Sequence, residues 1–179
     1  MTVVMKDKLT KVFTALKDRF GYTSTMAAPR LEKISVSVGV GSVHDKNKLE
    51  VIKDRLEKIT GQKAAPRPAK KSIAQFKMRE GDVVGYQVTL RGSRMHDFLD
   101  RLLNIALPRT RDFRGINRSV VDEMGNMTIG IKEHTIFPET ADEDLRDVFG
   151  LAVTVVTTAR SKEEALGFFE HIGVPFKKQ

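Results

Sequence analysis

Four histidines, His44, His96, His134 and His171, are the side chains best suited to proton transfer or metal ligation, yet they fall at no metal-ligand spacing. The chain has no cysteine to complete a zinc site or act as a nucleophile. Each histidine is expected at the surface or partly buried, and His96 beside Asp97 has no positioned nucleophile to serve. The acidic run Asp142, Glu143 and Asp144 is the nearest approach to a metal-binding cluster, but a helix start explains it through the dipole and solubility. Gly39-Val40-Gly41 follows a strand, but the dinucleotide fingerprint needs a third glycine where His44 stands, so the pair marks a strand-end turn. These residues predict no catalytic site, no cofactor and no metal: the chain is not expected to be an enzyme.

Cationic side chains offer a different chemistry. Residues 63–118 hold thirteen Lys or Arg against five Asp or Glu, an excess of +8 that equals the net charge of all 179 residues. Outside that third the charges balance. So local a field attracts a polyanion, with nucleic acid first among candidates. Lys63, Arg67, Lys70, Lys71, Lys77 and Arg79 are interleaved with prolines and Phe76, a pattern that tracks a phosphate backbone more readily than it reads base edges. Arg109, Arg111 and Arg114 surround Asp112, and arginine suits planar, bidentate contact with phosphate or carboxylate.

Alternation and helical spacing indicate the elements that hold these groups. Met5, Leu9, Val12, Phe13, Leu16 and Phe20 predict an amphipathic first helix stopped by Gly21. Ile34, Val36, Val38 and Val40 alternate with Lys33, Ser35, Ser37 and Gly39, as in a half-buried strand. A second helix over Leu49, Ile52, Leu56 and Ile59 begins at Asp45 or at an Asn47 to Glu50 capping pair and ends at Gly61. Pro66 and Pro68 restrict the next segment to a sheet edge leading into a mobile basic loop at about 72–82. Val84, Tyr86, Val88 and Leu90 then oppose Gln87, Thr89 and Arg91.

Ser93 is expected to cap a third helix carrying Met95, Phe98, Leu99, Leu102, Leu103 and Ala106, closed by Pro108. Strands follow at 127–131 and 151–157, then a helix from a Ser161 to Glu164 capping box to Gly173. Length and pattern predict a single α+β domain over 1–179: a mostly antiparallel sheet with helices on one face and the other face open. The N-terminus develops no signal-peptide core and no membrane-spanning run occurs, so a soluble cytoplasmic protein is expected.

The open face would carry Lys33, Ser35, Ser37, Gln87, Thr89 and Arg91. With no Trp, two Tyr and no RNP1-like octapeptide, it lacks the stacking platform of single-strand RNA readers. Short hydroxyl, amide and amine groups suit the wide minor groove of an A-form helix, with its 2′-hydroxyls and phosphates. Two rival classes remain: a metal-dependent phosphate-processing enzyme, and a protein-only adaptor.

Seven ordered motifs, Gly39-Val40-Gly41, Thr60-Gly61-Gln62-Lys63, Ala69-Lys70-Lys71-Ser72-Ile73-Ala74, Thr89-Leu90-Arg91-Gly92, Leu107-Pro108-Arg109, Arg111-Asp112-Phe113-Arg114-Gly115 and Ile136-Phe137-Pro138-Glu139, span nearly the whole chain. Together they resemble the bacterial large-subunit ribosomal protein five family. The resemblance implies a structural protein of the large subunit's central protuberance that binds 5S rRNA and helps attach it to large-subunit rRNA. It implies 5S rRNA contacts from the polar face and basic run: Lys33, Ser35, Ser37, Gln62, Lys63, Arg67, Lys70, Lys71, Gln87, Thr89 and Arg91. It further implies that the loop with Ser72, Gln75, Phe76, Lys77, Met78, Arg79 and Glu80 reaches P-site tRNA. Arg109, Arg111, Asp112 and Arg114, with Glu133, Glu139 and Asp142, would face small-subunit ribosomal protein thirteen in an intersubunit bridge, beside neighbouring large-subunit proteins. Ser37 stands where the family usually has asparagine; its hydroxyl can still donate and accept.

Overall fold

The alternation around Lys33 forms a strand, β1 (Leu31–Gly39), in which Ile34 and Val36 are fully buried while Lys33, Ser35 and Ser37 keep part of their surface in water. The computed structural model describes all residues except 1–4, 42, 44, 77, 112, 141–147 and 178–179. Its remaining strands are β2 (Ala65–Pro68), β3 (Val83–Leu90), β4 (Met127–Ile131) and β5 (Leu151–Thr157), in one sheet of order β2-β3-β1-β5-β4. β2 pairs antiparallel with β3, matching Ala65 to Gln87 and Arg67 to Gly85, with an irregularity between Arg67 and Pro68. A strand with prolines at two of its four residues has too few N–H donors for the sheet interior, and β2 lies at the edge. The bond from Val40 N–H to the Val84 carbonyl, 2.9 Å, fixes the β3–β1 register.

The helices are α1 (Met5–Thr10), α2 (Val12–Phe20), α3 (Lys46–Thr60), α4 (Gly92–Arg101) and α5 (Lys162–Ile172). The first expected helix is thus two, broken at Lys11, although the apolar spacing runs through the break. For α3 the start is Asp45, whose carboxylate accepts from Asn47 N–H at 3.0 Å, and Gly61 closes it in the left-handed conformation. Ser93 does not cap α4. Gly92, at φ +60°, turns the chain into the helix, Arg91 takes the capping position without a side-chain bond, and Ser93 already lies in the first turn. Pro108 does not end the run either, since a π-helical turn (Leu102–Ala106) and a 3-10 turn (Leu107–Arg109) carry it on. The widened turn still buries Leu102, Leu103 and Ala106. At α5, Ser161 accepts from Glu164 N–H, but the Glu164 carboxylate does not complete the box; it accepts from Arg160 N–H at 2.7 Å and from the Tyr22 hydroxyl.

Two compact units share the chain: Met1–Ile34, Arg91–Ile129 and Thr154–Gln179 form one, Ser35–Leu90 and Gly130–Val153 the other. In the first, α1 packs on α4 and α5, and α2 on α5, with Phe98, Phe168 and Phe169 in its core. Burial and the Glu164 carboxylate push the Tyr22 phenol above its usual range. In the second, α3 packs on β3 and buries Ile52, Leu56 and Ile59. His134 of that unit is 1% exposed and stacks on Phe149 with ring centres 4.2 Å apart, so it is a core side chain rather than a surface one.

Candidate nucleic-acid interface

The exposed side of the second unit is built from three segments. β1 supplies Ser35 and Ser37, β3 supplies Gln87 and Thr89, and the edge strand with its approach supplies Lys63 and Arg67. All four β1 and β3 side chains are half-buried, with the fully buried Val36 and Val88 pointing the other way. They are linked across strands. Arg67 Nε donates to Gln87 Oε1 at 2.7 Å, and Gln87 Nε2 donates to Ser35 Oγ at 2.5 Å. Gln62 is half-buried; its amide donates to the Thr89 carbonyl at 3.2 Å, which ties the end of α3 to β3.

Lys63, Lys70 and Lys71 are placed along the edge strand and the loop entrance, and all three are exposed. From Ala69 the chain projects as a closed excursion: Ala69 N–H bonds the Asp82 carbonyl at 2.8 Å, and Gly81 N–H returns to the Ala69 carbonyl at 3.1 Å. Within it Ile73 and Met78 form a bridge, Glu80 N–H donates to Ser72 Oγ at 2.9 Å, and Arg79 N–H donates to Asp82 Oδ2 at 2.8 Å. Ser72, Gln75, Arg79 and Glu80 are exposed and Met78 is half-buried, while Phe76 shows 58% of its surface to solvent. Lys77 lies outside the described residues.

In the first unit Lys33 and Arg91 flank Glu32, at 3.9 and 4.0 Å from its carboxylate. Exposed pairs of that length contribute little to stability, but they lower the net charge offered to a polyanion. Composition alone does not reveal Glu32's role. Arg118, one of the thirteen cations of the basic third, is likewise engaged by Glu170 at 2.8 Å. Arg109 and Arg111 are exposed and so is Arg114, whereas Asp112, their expected ion-pair partner, and Asp142 lie outside the described residues. In the second unit Glu133 is exposed and Glu139 half-buried. Thr128 and Thr154 add a hydroxyl pair at 3.1 Å between β4 and β5, which alternation would have exposed had those strands been paired in advance.

Among the described residues no group of His, Asp and Glu is placed to hold a metal ion, and no helix is long and apolar enough to cross a membrane. A donor-rich sheet face, a cationic edge and a loop with exposed Arg79 lie together in the second unit. Two family models match most of the chain. Residues 24–79 match the model described as "Ribosomal protein L5", and residues 83–176 match the model for the C-terminus of the same ribosomal family. The large ribosomal subunit protein uL5 of Nitratidesulfovibrio vulgaris is 51% identical over 170 residues, 94% of each chain. That of Oenococcus oeni is 48% identical over 180 residues, covering 99% of this chain and 100% of its own, and that of Flavobacterium johnsoniae is 48% identical over 169 residues, covering 94% and 92%.

The protein is a structural constituent of the large ribosomal subunit and not an enzyme. It belongs to the uL5 family of ribosomal proteins.

Proposed function

We propose that within the large subunit this chain binds 5S rRNA through the half-buried polar face and basic edge, and so helps attach that RNA to the central protuberance. The observation that carries the reading is the row Ser35, Ser37, Gln87 and Thr89, open to water on the side opposite the core and bordered by Lys63 and Arg67. Hydroxyls and amides at strand spacing match the hydroxyl-lined minor groove of A-form RNA, while lysine and arginine at the border meet phosphates. The projecting loop, with exposed Phe76 and Arg79, is suited to stack on or hold a tRNA in the P site. Exposed Arg109, Arg111 and Arg114 in the first unit offer guanidiniums, and Glu133 and Glu139 in the second offer carboxylates, each suited to an intersubunit contact with small-subunit ribosomal protein thirteen.

The test is a titration of the purified protein with 5S rRNA, with tRNA and with a long rRNA fragment at one salt concentration. Preferential retention of 5S rRNA is expected. Equal affinity for all three would reject shape recognition by the face and leave only a diffuse electrostatic attraction. The protein-only adaptor alternative predicts a native preparation with no excess absorbance at 260 nm over 280 nm.

A further inference from the structure

We propose that Gln87 is a positioning residue that aims the Arg67 guanidinium and the Ser35 hydroxyl at a single phosphate of the RNA backbone; this rests on the RNA-binding reading above. Guanidinium groups only donate, so the Gln87 side chain must turn its carbonyl to Arg67 and its amide to Ser35. Ser35 Oγ thereby accepts, which turns its own hydrogen away from Gln87. Arg67 spends only Nε on the protein, and its terminal N–H fork has no partner among the described residues. The backbone beneath it is stiff as well: Arg67 sits between Pro66 and Pro68, where both its own conformation and the flanking φ angles are restricted.

With one lone pair each of Gln87 Oε1 and Ser35 Oγ already engaged, the string offers chiefly donors: the Arg67 fork, the Ser35 hydroxyl hydrogen and the second Gln87 amide hydrogen. A 2′-hydroxyl or a base edge carries both kinds of group, but a phosphate oxygen only accepts, so a phosphate is the matching ligand. Glutamine is the residue the string requires. Glutamate at this position could bind Arg67 but would cancel its charge and could not donate to Ser35; an aliphatic side chain would release both.

Gln87→Met keeps the length and removes both hydrogen bonds without altering any charge. Its binding to 5S rRNA and to a generic A-form RNA duplex is measured across a salt series, beside Arg67→Gln and the double variant, with a melting curve for each protein. A loss of about tenfold in affinity is expected, together with a slope of log K against log salt shallower by about 0.9, the value of one lost phosphate contact. The double variant should bind within about twofold of Arg67→Gln alone, because both act through one contact. Ser35→Ala, a smaller perturbation on the same string, should move affinity and slope in the same direction and serves if Gln87→Met melts early.

An unchanged slope overturns the proposal: with weaker binding it would make Gln87 a direct hydrogen-bonding contact, and with wild-type binding it would make the string irrelevant. The two readings separate cleanly. A wild-type protein that prefers the generic duplex sinks the 5S assignment while the slopes on that duplex still judge Gln87; one that binds neither RNA ends both.

Discussion

Gly85 lies on the same side of β3 as Gln87 and Thr89, opposite Arg67 of the edge strand, and is buried. A methyl group added there would stand 2.9 Å from the carbonyl oxygen of Val38 on β1, closer than such contacts are tolerated. The obstacle is backbone inside a hydrogen-bonded ladder, so β3 and β1 must separate. Overpacking of this kind costs about 1–3 kcal/mol, offset by about 0.5–1 kcal/mol from removing a glycine from a strand interior. Gly85→Ala should therefore destabilise by about 1 kcal/mol, the middle of a range of about 0–2.5 kcal/mol, and a chain of this size then melts about 2–4 °C lower. Gly39→Ala on β1 is the internal control, since nothing lies within 4 Å of its added carbon, and it should leave stability unchanged or raise it slightly. Thermal and urea unfolding followed by circular dichroism read both. A Gly85→Ala protein melting at or above the wild-type temperature would refute the argument from strand separation. Because Ser35 and Gln87 span the same gap between strands, RNA affinity should fall with stability at this position and not at Gly39.

Lys70 and Lys71 stand at the loop entrance with no ion pair to another described residue, so Lys70→Gln with Lys71→Gln should leave melting within about 0.5 kcal/mol yet flatten the salt slope by about 1.8; an unaltered slope would remove them from the phosphate contacts. Thr89→Val keeps the shape and removes a half-exposed hydroxyl, and a filter-binding assay should show weaker 5S rRNA binding by a folded protein, with wild-type affinity contradicting its role. Tyr22→Phe removes the bond to Glu164 and should cost about 1–2 kcal/mol at neutral pH. The Tyr22 phenol is held above its usual value, so its contribution is complete below pH about 10 and fades as pH rises through the folded value. Wild-type stability should accordingly decline in alkali more steeply than that of Tyr22→Phe, and parallel declines would disprove the coupling.

The strands were the most legible part of the chain. β4 and β5 occupy 127–131 and 151–157, as alternation predicts, because an apolar residue at every second position has only one way to bury its side chains. Helix termini were less so. Periodicity continues unbroken across Lys11 and through the π-helical turn, since a local change of pitch can keep the same residues facing inward. Capping competes with long-range partners: Glu164 could have closed its own helix but is drawn to Tyr22, 142 positions away. At the candidate interface the donor residues were readable one by one, while their connections were not. That Glu32 sits between Lys33 and Arg91, or that Arg67 reaches Ser35 through Gln87, depends on cross-strand register, which the spacing within any one strand does not encode.

The two prolines of β2 bear on the life of the protein before it meets its RNA. Paired with β3 on one side, the strand can hydrogen-bond inward only through Ala65 and Arg67, so the positions whose donors would point away from the sheet are the ones that have none. A second chain arriving at that border finds carbonyls and a cation but no N–H to template a further strand. Newly made copies awaiting assembly are thereby kept from joining border to border into aggregates, without an added segment to shield them.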